Sequence, residues 1–193
     1  MATPQGGQAI IDTAVEAFGR VDIVINNAGI LRDKAFHNMS PQELDDIIDV
    51  HLKGGFYVSQ PAYRLMREQG YGRFLFTTSA AGLFGNFGQA NYAAAKMGLV
   101  GLSSVIAIAI EGAKNNIKSN TIAPIARTRL TEELMGEMAA ALHPEYVTPL
   151  AVYLVSSACD LTHEVFSVGA GRYASSFVGL TQGWLARVTI PSS

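Results

Sequence analysis

The chain has 193 residues, a length that fits a single domain. Apolar residues make up 49% and charged residues 16%, which excludes a disordered or coiled-coil composition. Fourteen basic against sixteen acidic residues leave a net charge of −2, so no cationic field exists for a nucleic-acid backbone or an anionic membrane surface.

The first residues carry no basic stretch followed by an apolar one, so no signal peptide is expected and the chain reads as cytoplasmic. Residues 9–18 read as a short amphipathic helix, with Ile10, Ala14, Ala17 and Phe18 on one face and Gly19 closing it. Residues 21–25 form a β-branched run that ends in Asn26-Asn27-Ala28-Gly29. Ser40-Pro41-Gln42-Glu43 is a strong helix start, with a Ser cap, Pro at the first helical position and Glu at the third. That pattern predicts one helix over residues 41–68. Residues 73–78 predict a second strand and residues 79–88 a loose connection. Residues 91–112 predict a long helix that is apolar nearly all round and so needs cover on most faces. Its most apolar stretch is shorter than the ~20 residues of a spanning helix, and Ser103 and Ser104 interrupt it. Residues 117–122 predict a third strand stopped by Pro124. A helix over 144–157, a last strand over 164–168 and an unassigned tail from about residue 170 complete the reading. The single cysteine, Cys159, reads as a small buried apolar residue.

Strands alternating with helices imply βαβ units, hence a doubly wound parallel sheet of the α/β class with helices on both faces. In such sheets the site lies beyond the carboxyl ends of the strands. Asn26 to Gly29, Ser79 and Pro124 each stand just past a predicted strand end, which points to one cleft.

Tyr92 and Lys96 lie four residues apart at the start of a helix and share a face. A neighbouring ammonium favours the phenolate and is expected to draw the Tyr92 pKa from about 10 toward neutrality. A phenol so tuned passes a proton to or from a substrate oxygen near pH 7. Ser79, at an earlier strand end, is placed to hydrogen-bond the same oxygen. His37, His143 and His163 have no spacing that suggests a metal site.

Taken in order, Asn26-Asn27-Ala28-Gly29, then Ser79, then Tyr92 and Lys96, this sequence resembles the short-chain dehydrogenase/reductase family over about residues 9–171. The runs from Asn27 to Lys34, from Gly85 to Tyr92 and from Asn120 to Pro124 are similar to the (3R)-hydroxyacyl-CoA dehydrogenase unit of type 2 peroxisomal multifunctional enzymes and to their bacterial single-domain relatives. The resemblance implies a Rossmann-like fold and hydride transfer between NAD or NADP and a secondary alcohol or ketone. An acyl-CoA-like substrate, a 3-hydroxyacyl or 3-oxoacyl thioester, is implied as well. In that scheme Tyr92 is the general acid and base and Ser79 orients the carbonyl. Lys96 lowers the tyrosine pKa and holds the nicotinamide ribose. Asn27, Ala28 and Gly29 lie along the adenosine side of the dinucleotide, and Pro124 and Thr128 flank the nicotinamide.

Three departures from the family pattern bear on function. Where many members place an Asn that bends its helix around a relay water, this chain has His51, whose backbone carbonyl would then carry the relay. The family's Pro-Gly is Pro124-Ile125 here, Thr128 stands one position early, and Arg127 and Arg129 beside it read as solvated or as phosphate contacts. The family's opening strand, Gly-rich turn and helix, which hold the pyrophosphate, have no counterpart before Asn26. Gly6-Gly7 follows no strand. The expectation is therefore an N-terminally truncated fold whose strand 21–25 lies at an exposed edge that an oligomer covers. Residues 41–68 and 91–112 match the helices that pair across a two-fold axis in the family, implying a homodimer or homotetramer. The competing reading is a cofactor-deficient family member with a structural or dimer-interaction role.

Overall fold

The computed structural model describes residues 1–108, 114–126 and 142–184. They build a five-stranded sheet of β1 (Ile23–Asn26), β2 (Gly72–Thr77), β3 (Ile117–Pro124), β4 (Val165–Gly169) and β5 (Arg172–Ser175), in that spatial order. The first four strands are parallel and β5 turns back antiparallel on β4. The class is α/β and Rossmann-like, as the alternation of elements predicts. The hairpin to β5 lies in the segment that the sequence left unassigned. Ala170 and Gly171 both adopt positive φ there, which gives a turn tight enough for strands to pair directly.

Period-2 burial divides the sheet's two faces. Val24, Phe74 and Phe76 face helices α1 (Pro4–Phe18), α3 (Gly54–Gln69) and α5 (Ala90–Ile108), meeting Ile11, Val58, Ala62, Met66 and Leu99 in one core. Leu75, Ile122 and Val168 face the other way, onto Leu154 and Val155 of α6 (Thr148–Val155) and onto Cys159. Cys159 is fully buried, as its reading as an apolar filler required. Helices therefore cover both faces. Among the described residues β1 pairs only with β2, and its outward residues Ile23 and Ile25 are 46% and 51% exposed in the single chain.

The structure differs from the sequence reading in three elements that shape the cleft. Residues 41–68 are not one helix. The capping box of Ser40 and Glu43 starts α2 (Pro41–Ile47) as expected, but a π-helical segment, Ile48–Lys53, follows before α3. The wider π turn carries the buried His51, and such turns concentrate at functional sites. Residues 79–88 are not wholly loose, because Ser79 caps the short helix α4 (Ala80–Phe84) by accepting the Ala81 N–H at 3.2 Å. The pattern over 144–157 breaks into a 3₁₀ turn, Pro144–Tyr146, and α6, since Pro149 fits only a helix's first turn.

Gly6 and Gly7 lie inside α1, and Gly7 has a packing role. A Cβ at Gly7 would overlap the Tyr57 backbone, so glycine is what lets α1 lie directly on α3.

Candidate active site

Because β1, β2 and β3 are parallel and in register, with Asn26 beside Phe76 and Thr77 beside Ile122, their carboxyl ends open on the same crevice. Asn27, Ala28 and Gly29 leave β1, Ser79 leaves β2, and Pro124 is the last residue of β3. α5 packs on β2 and β3 and delivers Tyr92 and Lys96 from its first turns to this crevice. Thr128, with Arg127 and Arg129, lies outside the described residues.

The Ser79 hydroxyl lies near enough to the Tyr92 phenol to favour its ionised form, and it accepts the Ala81 N–H at 3.2 Å. Lys96 is 3% exposed, and its ammonium donates to the Thr77 carbonyl at 2.7 Å while lying 5.4 Å from the Tyr92 ring centroid. Thr78 in turn donates to the Lys96 carbonyl at 2.7 Å, so β2 and α5 are tied at the catalytic turn. Ser79, Tyr92 and Lys96 are therefore brought together as the sequence order predicts.

The expected electrostatic tuning is not what this arrangement gives. Burial pushes the Tyr92 phenol above its ordinary value and Asp33 adds to the rise, while the neighbouring Ser79 hydroxyl pulls against both. Lys96 is turned to the Thr77 carbonyl rather than to the phenol oxygen. Its own pKa is brought down to about 8 by burial.

Residues that the sequence reading passed over set the position of Tyr92. Asn91 is 1% exposed, and its side-chain amide donates to the Arg32 and Glu43 carbonyls at 3.1 and 2.9 Å. Its Oδ1 accepts the Tyr92 N–H at 2.8 Å. Gln89 donates to the Asp33 carboxylate at 2.8 Å, and the Lys34 N–H donates to the Gly88 carbonyl at 2.7 Å. These bonds join the two runs Asn27 to Lys34 and Gly85 to Tyr92 into one wall. A signal was present, since both runs stand out together in the sequence.

On the β1 side, Asn27 and Ala28 are exposed, and Asn27 accepts a hydrogen bond from Thr77 at 3.1 Å. Gly29 lies against His51, where a Cβ would overlap the imidazole. His51 is 4% exposed, and its Nε2 lies 2.8 Å from the Ile30 carbonyl oxygen and 3.1 Å from the Ile30 nitrogen. Burial, with the nearby Lys96 charge, lowers its pKa to about 4, so the ring is neutral at physiological pH. The His51 backbone carbonyl already accepts the Gly54 N–H. Asn120, from the third quoted run, has a structural place: it donates to the Leu161 carbonyl at 2.9 Å and accepts the Glu164 N–H at 3.1 Å. No group of three or more His, Cys, Asp or Glu side chains suited to a metal occurs among the described residues.

With this geometry in hand, the family model for short chain dehydrogenases matches residues 1–138. The chain belongs to the short-chain dehydrogenase family. It is 50% identical over 168 residues to the peroxisomal multifunctional enzyme type 2 of Mus musculus, covering 86% of this chain and 23% of that protein. It is 38% identical over 181 residues to an acetoacetyl-CoA reductase of an Acinetobacter strain, covering 88% of this chain and 72% of that one. The crystal structure of a short chain dehydrogenase from Mycobacterium avium superposes with a TM-score of 0.84 at 39% identity, over 96% of this chain and 65% of that one. The chain thus spans about a quarter of the mouse relative and about two thirds of the mycobacterial structure.

The family generally uses NAD(P). Two parts of the described crevice suit such a dinucleotide, the Tyr92–Lys96 turn its nicotinamide ribose and the end of β1 its adenosine side. Exposed Asn27 and Ala28 and the side-chain-free Gly29 make a shelf at the end of β1, beside Tyr92 and the buried ammonium of Lys96. For the pyrophosphate half, no glycine-rich turn joins a strand end to a helix N-terminus among the described residues. Gly7, as shown above, is occupied in packing α1 on α3.

Proposed function

We propose that this chain carries the catalytic half of an NAD(P)-dependent oxidoreductase acting on a secondary alcohol or ketone, with 3-hydroxyacyl or 3-oxoacyl thioesters as its substrate class. The observation that carries this reading is the convergence of Ser79, Tyr92 and Lys96, whose ammonium lies 5.4 Å from the Tyr92 ring centroid, at the carboxyl ends of parallel strands. Asn27, Ala28 and Gly29 would line the adenosine side of the dinucleotide, Tyr92 and Lys96 its ribose, and Pro124 the nicotinamide. Thr128 is assigned to the nicotinamide carboxamide from the family pattern alone. The cofactor supplies a hydride acceptor or donor.

The chain's own residues handle the proton. In the reducing direction the protonated Tyr92 phenol donates to the substrate oxygen as it becomes an alkoxide, while Ser79 donates a hydrogen bond to that oxygen and fixes its place. In the oxidising direction the phenolate must form first, and it takes the hydroxyl proton as the carbonyl forms. A phenol raised by burial is well suited to the acid role. Once the dinucleotide covers the crevice, the Lys96 ammonium is the group on hand to stabilise the phenolate.

The thioester class is supported by the relatives named above and by the site's rim. Phe36, Phe84 and Phe87 are 81, 78 and 89% exposed, on the two segments that the Lys34–Gly88 bond holds together. Exposed aromatic side chains there offer apolar surface to an acyl chain. The proposal extends to assembly through α5, whose outer stripe of Ala94, Met97, Gly101, Val105 and Ile108 is exposed and wholly apolar. Turnover of a 3-oxoacyl-CoA with NADH or NADPH, lost in Tyr92→Phe, tests the activity directly.

A further inference from the structure

We infer that the Asp33 carboxylate is a specificity-determining group that turns away substrates with a negative charge beside the reacting carbonyl. The crevice then takes a neutral 3-oxoacyl thioester or ester and excludes the free 3-oxo acid. This inference rests on the reaction proposed above.

The backbone on either side of Asp33 fixes where its carboxylate stands. The Arg32 carbonyl accepts the Asn91 side-chain amide at 3.1 Å, and the Lys34 N–H donates to the Gly88 carbonyl at 2.7 Å. Residues 32–34 therefore run along residues 88–91, the stretch that leads into Tyr92. Asp33 is the middle residue of the three, and its Oδ2 accepts the Gln89 side-chain amide at 2.8 Å. Gln89 is 5% exposed, and its Oε1 accepts the Asn86 side-chain amide at 3.0 Å. The group that holds Asp33 is thus itself buried and held.

The cations that flank Asp33 in sequence are engaged with α2. Arg32 pairs with Asp46 at 3.4 Å, and both Arg32 and Lys34 lie near enough to Glu43 to act on its charge. Among the described residues no cation forms an ion pair with Asp33. Lys96, the buried cation of the crevice, gives its ammonium to the Thr77 carbonyl on the β2 side, and His51 is neutral. The charge of Asp33 is left to act on the crevice, where, after burial, it opposes ionisation of the Tyr92 phenol.

A carboxylate that disfavours a phenolate disfavours a substrate carboxylate in the same place, because like charges repel more strongly where water is partly excluded. In a 3-oxo acid that second charge stands two carbons from the carbonyl that Tyr92 serves. A thioester or ester carries none there. The phosphates of a CoA substrate stand a pantetheine arm away, beyond the ~8 Å over which exposed charges act at physiological salt. Repulsion of the wrong substrate confers specificity without any contact to the right one.

Methyl acetoacetate and acetoacetate share the reacting carbonyl and differ in the charge beside it, so the ratio of their kcat/KM values reads the effect. The full chain is compared with Asp33→Asn, which keeps an acceptor for Gln89 and removes the charge, and with Asp33→Glu, which keeps the charge. The ester-over-acid ratio is expected to fall at least about fivefold in Asp33→Asn and to stay within about twofold of wild type in Asp33→Glu. A smaller fall in Asp33→Asn overturns the inference. An equal fall in both variants overturns it in favour of packing alone.

A second readout needs no turnover and separates this inference from the activity. The alkaline titration of Tyr92, taken as the difference between each protein and its Tyr92→Phe counterpart, is expected to move to lower pH in Asp33→Asn and not in Asp33→Glu. An unmoved titration in Asp33→Asn overturns the inference, whether or not substrate turns over. A titration that moves in a chain inactive on both substrates overturns the proposed function and the substrate role with it, while the action of Asp33 on the phenol stands.

Discussion

At the scale of single residues, the site joins a proton donor to a buried cation that lies over its ring and donates to the Thr77 carbonyl. Burial and Asp33 hold the Tyr92 phenol protonated through neutral pH. Carbonyl reduction, which needs the acid, is therefore expected to run flat through pH 6–8 and to fall only in alkali. Alcohol oxidation, which needs the phenolate, is expected to climb with pH, and paired pH–rate profiles in the two directions check this. Tyr92→Phe removes the transferable proton while keeping the ring that His51 packs against. Its kcat is expected to drop by about 10²–10⁴-fold with little change in thermal midpoint. Lys96 makes the opposite trade. Its folded pKa of about 8 lies below the ordinary 10.5, so between those values the unfolded chain binds more protons. Stability from this residue therefore rises with pH across that window. Below it the buried charge costs on the order of 1–3 kcal/mol. Lys96→Met is accordingly expected to raise the midpoint at pH 7 by roughly 2–8 °C while removing turnover, as calorimetry alongside the assay would record.

At the scale of elements, the cleft is assembled by side chains that cap and bridge. Asn91 spans the Arg32 and Glu43 carbonyls and the first turn of α5, so Asn91→Ala takes a donor from two part-buried carbonyls. A loss of about 2–4 kcal/mol is expected in chemical denaturation, with a fall in kcat because Tyr92 loses its anchor. This is where sequence reading gave out. Ser79, Tyr92 and Lys96 were legible because chemistry limits which residue types can stand at that spacing. The strands were legible because burial on both faces demands continuous apolar runs. The break between α2 and α3 was not, since a π turn adds a residue without disturbing hydrophobic periodicity enough to announce itself. Nor was the direction of the Tyr92 shift, which depends on where the flexible Lys96 side chain turns. The β5 hairpin escaped because a strand with one exposed face and mixed polarity, Arg172 to Ser175, carries little signal by itself.

At the scale of the molecule, two surfaces ask for cover. α5 is, among the described residues, the one helix long and apolar enough to cross a membrane by length and composition. Its inner side is committed to the sheet through Leu99, Ser103 and Ile106, while its outer stripe remains open. The proposed pairing of that stripe across a two-fold axis would meet the need without a membrane. Gly101→Glu and Val105→Asp together are expected to shift sedimentation from dimer or tetramer toward monomer at micromolar concentration, and an unchanged profile would place the interface elsewhere. The other open surface is the β1 edge, where Ile23 and Ile25 remain half-exposed beside the proposed dinucleotide shelf. The described residues bring Ser79, Tyr92 and Lys96 together beside the open end of β1. Whether they also hold a dinucleotide is what separates an enzyme from a silent relative. Calorimetric titration of NADH and NADPH onto the 193-residue chain, run beside the 3-oxoacyl-CoA assay and a Tyr92→Phe control, measures this most directly. The account predicts saturable binding by both proteins and turnover by wild type alone. Absence of binding at millimolar cofactor would contradict it.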